Sequence, residues 1–123
     1  MSGFGVERVA SSVKCAQVAA HEQGLFDVCF RQGDSIEVVT ALQKSAAKFD
    51  LVIIDPPRAG VRVGLDTIAE LACASIAYCS CNPETLGRDI SFLRAKGWSV
   101  EQVTAFDMFP GTRHLEVLTW LSR

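Results

Sequence analysis

A chain of 123 residues, 49% apolar and 21% charged, has the length and balance of one globular domain with a single real core. Fourteen acids against twelve Lys plus Arg leave a net charge of -2. That excludes gripping nucleic acid by bulk positive charge; an RNA substrate would need a local basic patch or a separate binding module.

No run is long or apolar enough to span a bilayer, and the first residues carry no signal-peptide pattern. Five cysteines (Cys15, Cys29, Cys73, Cys79 and Cys81) are an odd count in mostly apolar surroundings. They read as reduced, buried thiols of a cytoplasmic protein.

In chain order, Gly3 to Val6 is a very short apolar start. Glu7 to Gln23 places Val9, Val13, Ala16, Val18 and Ala20 at roughly helical spacing, and Gly24 supplies a stop. Asp27 to Gln32 alternates around Val28 and Phe30, as a short strand does. Asp34 and Ser35 offer an N-cap for a helix from about Ile36 to Ala47. "FDLVII", Phe49 to Ile54, has the nearly continuous apolar character of a buried parallel strand, and Pro56-Pro57 ends it. Gly64 to Ala74 reads as helix and Ser75 to Ser80 as strand. Pro83 opens a helix from about Glu84 to Lys96, stopped by Gly97. Trp98 to Phe106 and His114 to Leu121 are the last two strands.

Alternating strands and helices predict an α/β fold with an open, mostly parallel sheet. The last two strands have no helix between them and should pair antiparallel. In such sheets ligands bind beyond the carboxyl ends of the parallel strands. Asp55 to Gly60 and Cys81 to Pro83 lie there. So does the start of the last strand, because that strand runs the other way. Chain direction alone gathers Cys81, Asp55, Arg58, His114 and Glu116 at one rim.

The spacing of Cys79 and Cys81 is wrong for the usual zinc knuckle, and no second cysteine pair lies downstream. Cys81 is followed by Asn82-Pro83, whereas Cys79 reads as a packing residue of a buried strand.

"DLVIIDPPRAG", "YCSCNPETLGRD" and "FDMFPGTRHLEVL", in that order, resemble three signatures of the S-adenosylmethionine-dependent RNA uracil-5-methyltransferases, which make 5-methyluridine in tRNA and rRNA. The resemblance covers roughly residues 3 to 123, the carboxyl-terminal part of such a catalytic domain. It implies a Rossmann-like methyltransferase sheet with a C-terminal antiparallel hairpin. It further implies that Cys81 is the nucleophile, that Glu116 is the base and that Asp55 stands between cofactor and uracil. Arg58 and His114 fall on the substrate side. "GVE" resembles the end of the second strand, which points to Glu7 for the cofactor ribose. "GD" at 33 to 34 resembles the adenine-side loop, which points to Asp34, itself an equally good helix cap.

The chemistry explains why these residue types belong together. Carbon 5 of uracil is a poor nucleophile until a thiolate adds to carbon 6, and a base must then take the carbon 5 proton. Free cysteine is mostly protonated at neutral pH. The amides that open the helix after Pro83, and Arg88 one turn later, are the groups at hand to favour the thiolate. The target base would have to leave its stack to reach the site.

Two other classes stay open at this point. A cysteine hydrolase would use Cys81 with His114 and Glu116, but no oxyanion-hole glycines lie near Cys81. A non-catalytic assembly piece would use none of them. A base-amino methyltransferase shares Asp-Pro-Pro but wants an aromatic residue where Arg58 stands.

The resemblance also predicts what is missing. The first central strand, with the glycine-rich turn that holds the cofactor's carboxylate end, and an upstream RNA-binding module have no counterpart in these residues. The expectation is one partial catalytic domain over 1–123 that needs a further N-terminal segment and by itself binds cofactor poorly.

Overall fold

Gly3–Glu7 forms strand β1, and it does so as half of a parallel pair with β2 (Val28–Gln32), in register from Gly3↔Val28 to Glu7↔Gln32. Glycine is required at position 5: a Cβ there would lie 2.6 Å from the Phe30 ring. The structure, a computed structural model, describes residues 2–108, 110–112 and 115–123. It divides into two units, Met1–Ala41 and Leu42–Arg123.

In the first unit, helix α1 (Ala10–Glu22) joins β1 to β2, and α2 starts at Ser35 and ends at Lys44. The sequence spacing suggested a helix from Glu7. Glu7 instead completes the β1 ladder, and its Oε1 accepts the Val9 N–H at 2.7 Å, turning the chain before the helix can start. Gly24 follows α1 in the left-handed region, at φ 71°, as a glycine after a helix terminus does. α2 ends three residues before the expected Ala47, and Ala46 is left-handed at φ 56°.

The second unit contains β3 (Phe49–Ile54), α3 (Leu65–Leu71), β4 (Ala72–Ser80), α4 (Pro83–Ala95), β5 (Ser99–Phe106) and β6 (Glu116–Ser122). Its sheet has the order β3-β4-β6-β5. β3 and β4 are parallel, while β6 lies between β4 and β5 and is antiparallel to both. The C-terminal hairpin is therefore present, with its second strand inserted against the parallel pair.

Three details differ from the sequence expectation. Hydrogen bonding produces a two-stranded and a four-stranded sheet rather than one continuous sheet. β3 is an edge strand, and Ile53 is 68% exposed despite the apolar run. α3 is only seven residues long, because the chain passes into β4 at Ala72, opposite Phe49. The small residues Ala72, Cys73 and Ala74 fit either period, and strand pairing decides the matter.

One face of the four-stranded sheet carries the core. Ile76↔Leu121, Tyr78↔Thr119 and Ser80↔Val117 are facing pairs, all buried. Ile76, Tyr78, Val117 and Leu121 pack with Leu65 and Ile68 of α3, Leu86 and Leu93 of α4, and Trp98. Leu93 is fully buried, so Leu93→Ala is expected to cost about 2–5 kcal/mol. Val103→Ala, at an exposed position of β5, should cost less than about 1 kcal/mol. Urea denaturation followed by circular dichroism measures both.

Candidate active site

Strand ends place the candidate residues. In the second unit, β4 is flanked by β3 on one side and β6 on the other. The β4–β6 register runs from Ser75↔Ser122 to Ser80↔Val117. The ladder ends there, with Cys81 one step past its last pair; continued by one residue, the same register would set Cys81 opposite Glu116, since opposed residues of an antiparallel pair share a face. Along the parallel edge, Ile54 pairs with Tyr78, so Asp55 continues beside Cys79.

By alternation, Cys79, Cys81 and Glu116 share the face opposite the α3–α4 core. Cys79, Cys81 and Glu116 are half-buried and Asp55 is exposed. Burial pushes the Cys79 thiol above its ordinary value, and the carboxylates of Asp55 and Glu116 push it further in the same direction. One thiol of β4 therefore senses carboxylates from both neighbouring strand ends.

The turn that carries Cys81 is rigidly built. Ser80 Oγ accepts the Asn82 N–H and donates to the Asn82 carbonyl, both at 3.1 Å. Asn82 is the N-cap of α4: its Oδ1 accepts the Glu84 N–H at 3.1 Å, and Pro83 takes the first helical position, where its missing N–H costs nothing. Asn82 Nδ2 donates to the Arg58 carbonyl at 3.0 Å, and Thr85 Oγ1 donates to the same oxygen at 3.0 Å. The loop after β3 is thus tied through its backbone to the turn after β4.

Arg88 departs from the sequence expectation. It donates through Nε to Asp89 at 2.8 Å and through Nη2 to the Ala59 carbonyl at 3.1 Å, so its guanidinium is committed to a carboxylate and the loop rather than to Cys81. The cysteines depart as well. All five are free, as expected, but Cys15, Cys29 and Cys73 are exposed and Cys79 and Cys81 are only half-buried. His114 lies outside the described residues.

Sequence reasoning missed Asp89, which is 1% exposed and accepts hydrogen bonds from Tyr78, Val61 and Arg88. Its one available signal was an acid flanked by Arg88 and Ile90 on a helix with a buried face.

In the first unit, Glu7 and Asp34 stand at the carboxyl ends of the two parallel strands, joined by the Gly33 N–H to Glu7 carbonyl bond of 3.0 Å. Glu7 is exposed, and an exposed acid at a strand end suits the hydroxyls of a ribose. Asp34 Oδ1 caps α2 through the Ile36 and Glu37 N–H groups at 2.9 and 3.4 Å, and Oδ2 pairs with Arg8 at 2.5 Å. The Arg8 guanidinium and those backbone donors hold its carboxyl below the usual range. Asp34 therefore fits a loop-shaping role better than that of an acid with spare oxygens. Among the described residues no group of three or more His, Cys, Asp or Glu is placed to hold a metal ion, and no helix is long and apolar enough to cross a membrane.

The fold is that of the Rossmann-like methyltransferases. The precorrin-6y C5,15-methyltransferase from Geobacter metallireducens superposes with a TM-score of 0.71 at 15% identity, over 98% of this chain and 66% of that one. Residues 10–123 match the model of the tRNA (uracil-5-)-methyltransferase family, and the chain belongs to that family. It is 39% identical over 118 residues to the 23S rRNA (uracil(1939)-C(5))-methyltransferase RlmD of Haemophilus parainfluenzae. It is 42% identical over 119 residues to the 23S rRNA (uracil(747)-C(5))-methyltransferase RlmC of Yersinia pseudotuberculosis. Each alignment takes in 96% of this chain but only 27% and 30% of those proteins.

The raised Cys79 thiol gives a direct test. Because the thiolate is the species that alkylates, the pH midpoint for Cys79 alkylation should lie above the ordinary range of a free cysteine, read by peptide mass mapping. Glu116→Gln removes one of the two repelling charges, so it should move that midpoint down.

Proposed function

We propose that the chain supplies the chemical half of an RNA uracil-5-methyltransferase, acting on a uridine of tRNA or rRNA through a covalent adduct on Cys81. The observation that supports this reading is the register of β4 and β6, whose last pair is Ser80↔Val117: Cys81 and Glu116 are the next residues on either side, at the carboxyl rim of the parallel pair. Family membership over 10–123 supports it.

Cys81 adds as thiolate to carbon 6 of the uracil. The new S–C6 bond pushes an electron pair toward carbon 5 and the carbon 4 oxygen, giving an enolate. S-adenosylmethionine, when bound, supplies an electrophilic methyl group for carbon 5. Glu116 then takes the carbon 5 proton, the C5–C6 double bond re-forms and the thiolate leaves. Asp55 hydrogen-bonds an edge of the base. Arg58 offers a cation to the developing ring-oxygen charge or to a phosphate, and His114 belongs to the same substrate side.

Glu7 would accept from the cofactor's ribose hydroxyls, and Asp34 would shape the loop on the adenine side. Asp55 faces the cofactor as well as the base. The RNA itself would be gripped through residues beyond this catalytic part, in keeping with the net charge of -2. We also infer that turnover by the chain alone is low, because β3, which delivers Asp55, is held by a strand on one side only.

A single-turnover trap tests the reading. RNA containing 5-fluorouridine, incubated with the chain and S-adenosylmethionine, should leave a mass adduct on the peptide bearing Cys81, since fluorine cannot leave as a proton does. Cys81→Ala should form none. With ordinary uridine, Glu116→Gln should accumulate the corresponding methylated adduct, with hydrogen in place of fluorine at carbon 5, and slow its release by about 10²–10⁴-fold. An adduct on another thiol, or no adduct, overturns the assignment.

A further inference from the structure

The loop after β3 is anchored at three consecutive points. The Arg58 carbonyl accepts from Asn82 and Thr85, the Ala59 carbonyl accepts from Arg88, and the Val61 N–H donates to Asp89 Oδ2 at 2.7 Å. Asp89 is the hub of these contacts. Its Oδ2 also accepts from the Tyr78 hydroxyl at 2.5 Å, and its Oδ1 accepts from Arg88. Both Tyr78 and Asp89 are buried, at 0% and 1% exposure. Burial and then the Asp89 carboxylate push the Tyr78 phenol far above its ordinary value, which keeps it a proton donor.

Between the anchors stands Gly60, at φ 72°. Its N–H donates to the Pro57 carbonyl at 2.8 Å. A Cβ at this position would lie 2.6 Å from both Arg88 Nη2 and Asp89 Oδ2, so the loop backbone lies directly on the carboxylate–guanidinium pair. Tyr78 is three residues before Cys81 on β4, and Asp89 is on the helix that Asn82 caps. Each of these anchors therefore belongs to the strand–turn–helix that leads into and out of Cys81.

We infer that Asp89, with Tyr78 and Arg88, is a positioning residue that fixes the loop bearing Asp55 and Arg58 against the turn bearing Cys81. This rests on the reading of Cys81 as the nucleophile. Hydrogen bonds to a buried carboxylate are shorter and stronger than neutral ones, and a misplacement of about 1 Å at a reacting pair costs on the order of 10²-fold in rate. The clamp touches neither base nor cofactor; its effect passes through Asp55, Arg58 and the turn at Cys81.

Tyr78→Phe and Asp89→Asn test it, with Leu93→Ala as a destabilised control elsewhere on α4. Two measurements are made on the full chain under conditions where each variant is folded by circular dichroism. The first is amide hydrogen exchange at Val61. Exchange should rise by about tenfold or more in Tyr78→Phe and Asp89→Asn, and remain near the parent value in Leu93→Ala after correction for global stability. The second is the rate of 5-fluorouridine RNA trapping on Cys81 against RNA concentration. Its maximum should fall by about tenfold or more in both clamp variants, with the half-saturating concentration changed by less than about threefold.

Clamp variants that exchange and trap like the parent overturn the inference, as does an equal loss in Leu93→Ala. If Val61 exchange rises but the parent chain itself traps nothing, the assignment of Cys81 fails instead, and the positioning role falls with it. Tyr78→Phe removes a single hydroxyl and keeps the ring, so it decides the matter if Asp89→Asn does not fold.

Discussion

The pairing of β6 against β4 is the constraint on which the second unit depends. β6 enters between two strands that run the other way. With a period of two, the register that turns Val117, Thr119 and Leu121 into the core also turns Glu116 and Leu118 to the opposite face. The slip of one residue that would misplace Glu116 would bury it and expose Val117 and Leu121 together. Hydrophobic packing thereby fixes the position of a carboxylate that takes no part in packing. The rim geometry is as well determined as the core, because the same ladder carries both.

A second constraint acts along the chain direction. β3 has a hydrogen-bonded neighbour on one side only, and two prolines follow it, so the ladder cannot steady the loop beyond Ile54. Side chains of α4 do that work: Asn82, Thr85, Arg88 and Asp89 all reach across to backbone groups of 58–61. Burying a carboxylate is unfavourable unless its oxygens are satisfied. Asp89 meets that condition with a phenol, an amide and a guanidinium. Satisfying the charge and immobilising the loop are one event.

Much of this was legible in the sequence where chain chemistry forces the outcome. Phe49–Ile54 ends where Pro56 forbids a ladder, α4 starts where Asn82 and Pro83 fit a helix entrance, and Gly24 and Gly97 lie just past helices at positive φ. The boundary between α3 and β4 was not legible, since alanine and cysteine satisfy either period. β3 was read as buried because an apolar run says what a strand tolerates, not which neighbours it has. The roles of Arg88 and Asp89 were out of reach for a related reason. Apart from each other, their partners are 11 to 29 residues away in sequence, and only the tertiary fold brings the Ala59 carbonyl to Arg88 and the Val61 N–H to Asp89.

The two thiols of the Cys79–Cys81 pair illustrate how position, more than residue type, divides labour. They are two residues apart on the same face, and composition does not separate them. Cys79 lies within the ladder, opposite Leu118. Burial and the carboxylates of Asp55 and Glu116 hold it in the protonated form there, and a protonated thiol is a weak nucleophile. Cys81 lies one step past the last paired residue, where the strand has released its backbone and a capped helix begins. Two carboxylates at this rim therefore act on the thiol that lies within the ladder, and they reach it because Asp55 and Glu116 end the strands on either side of β4.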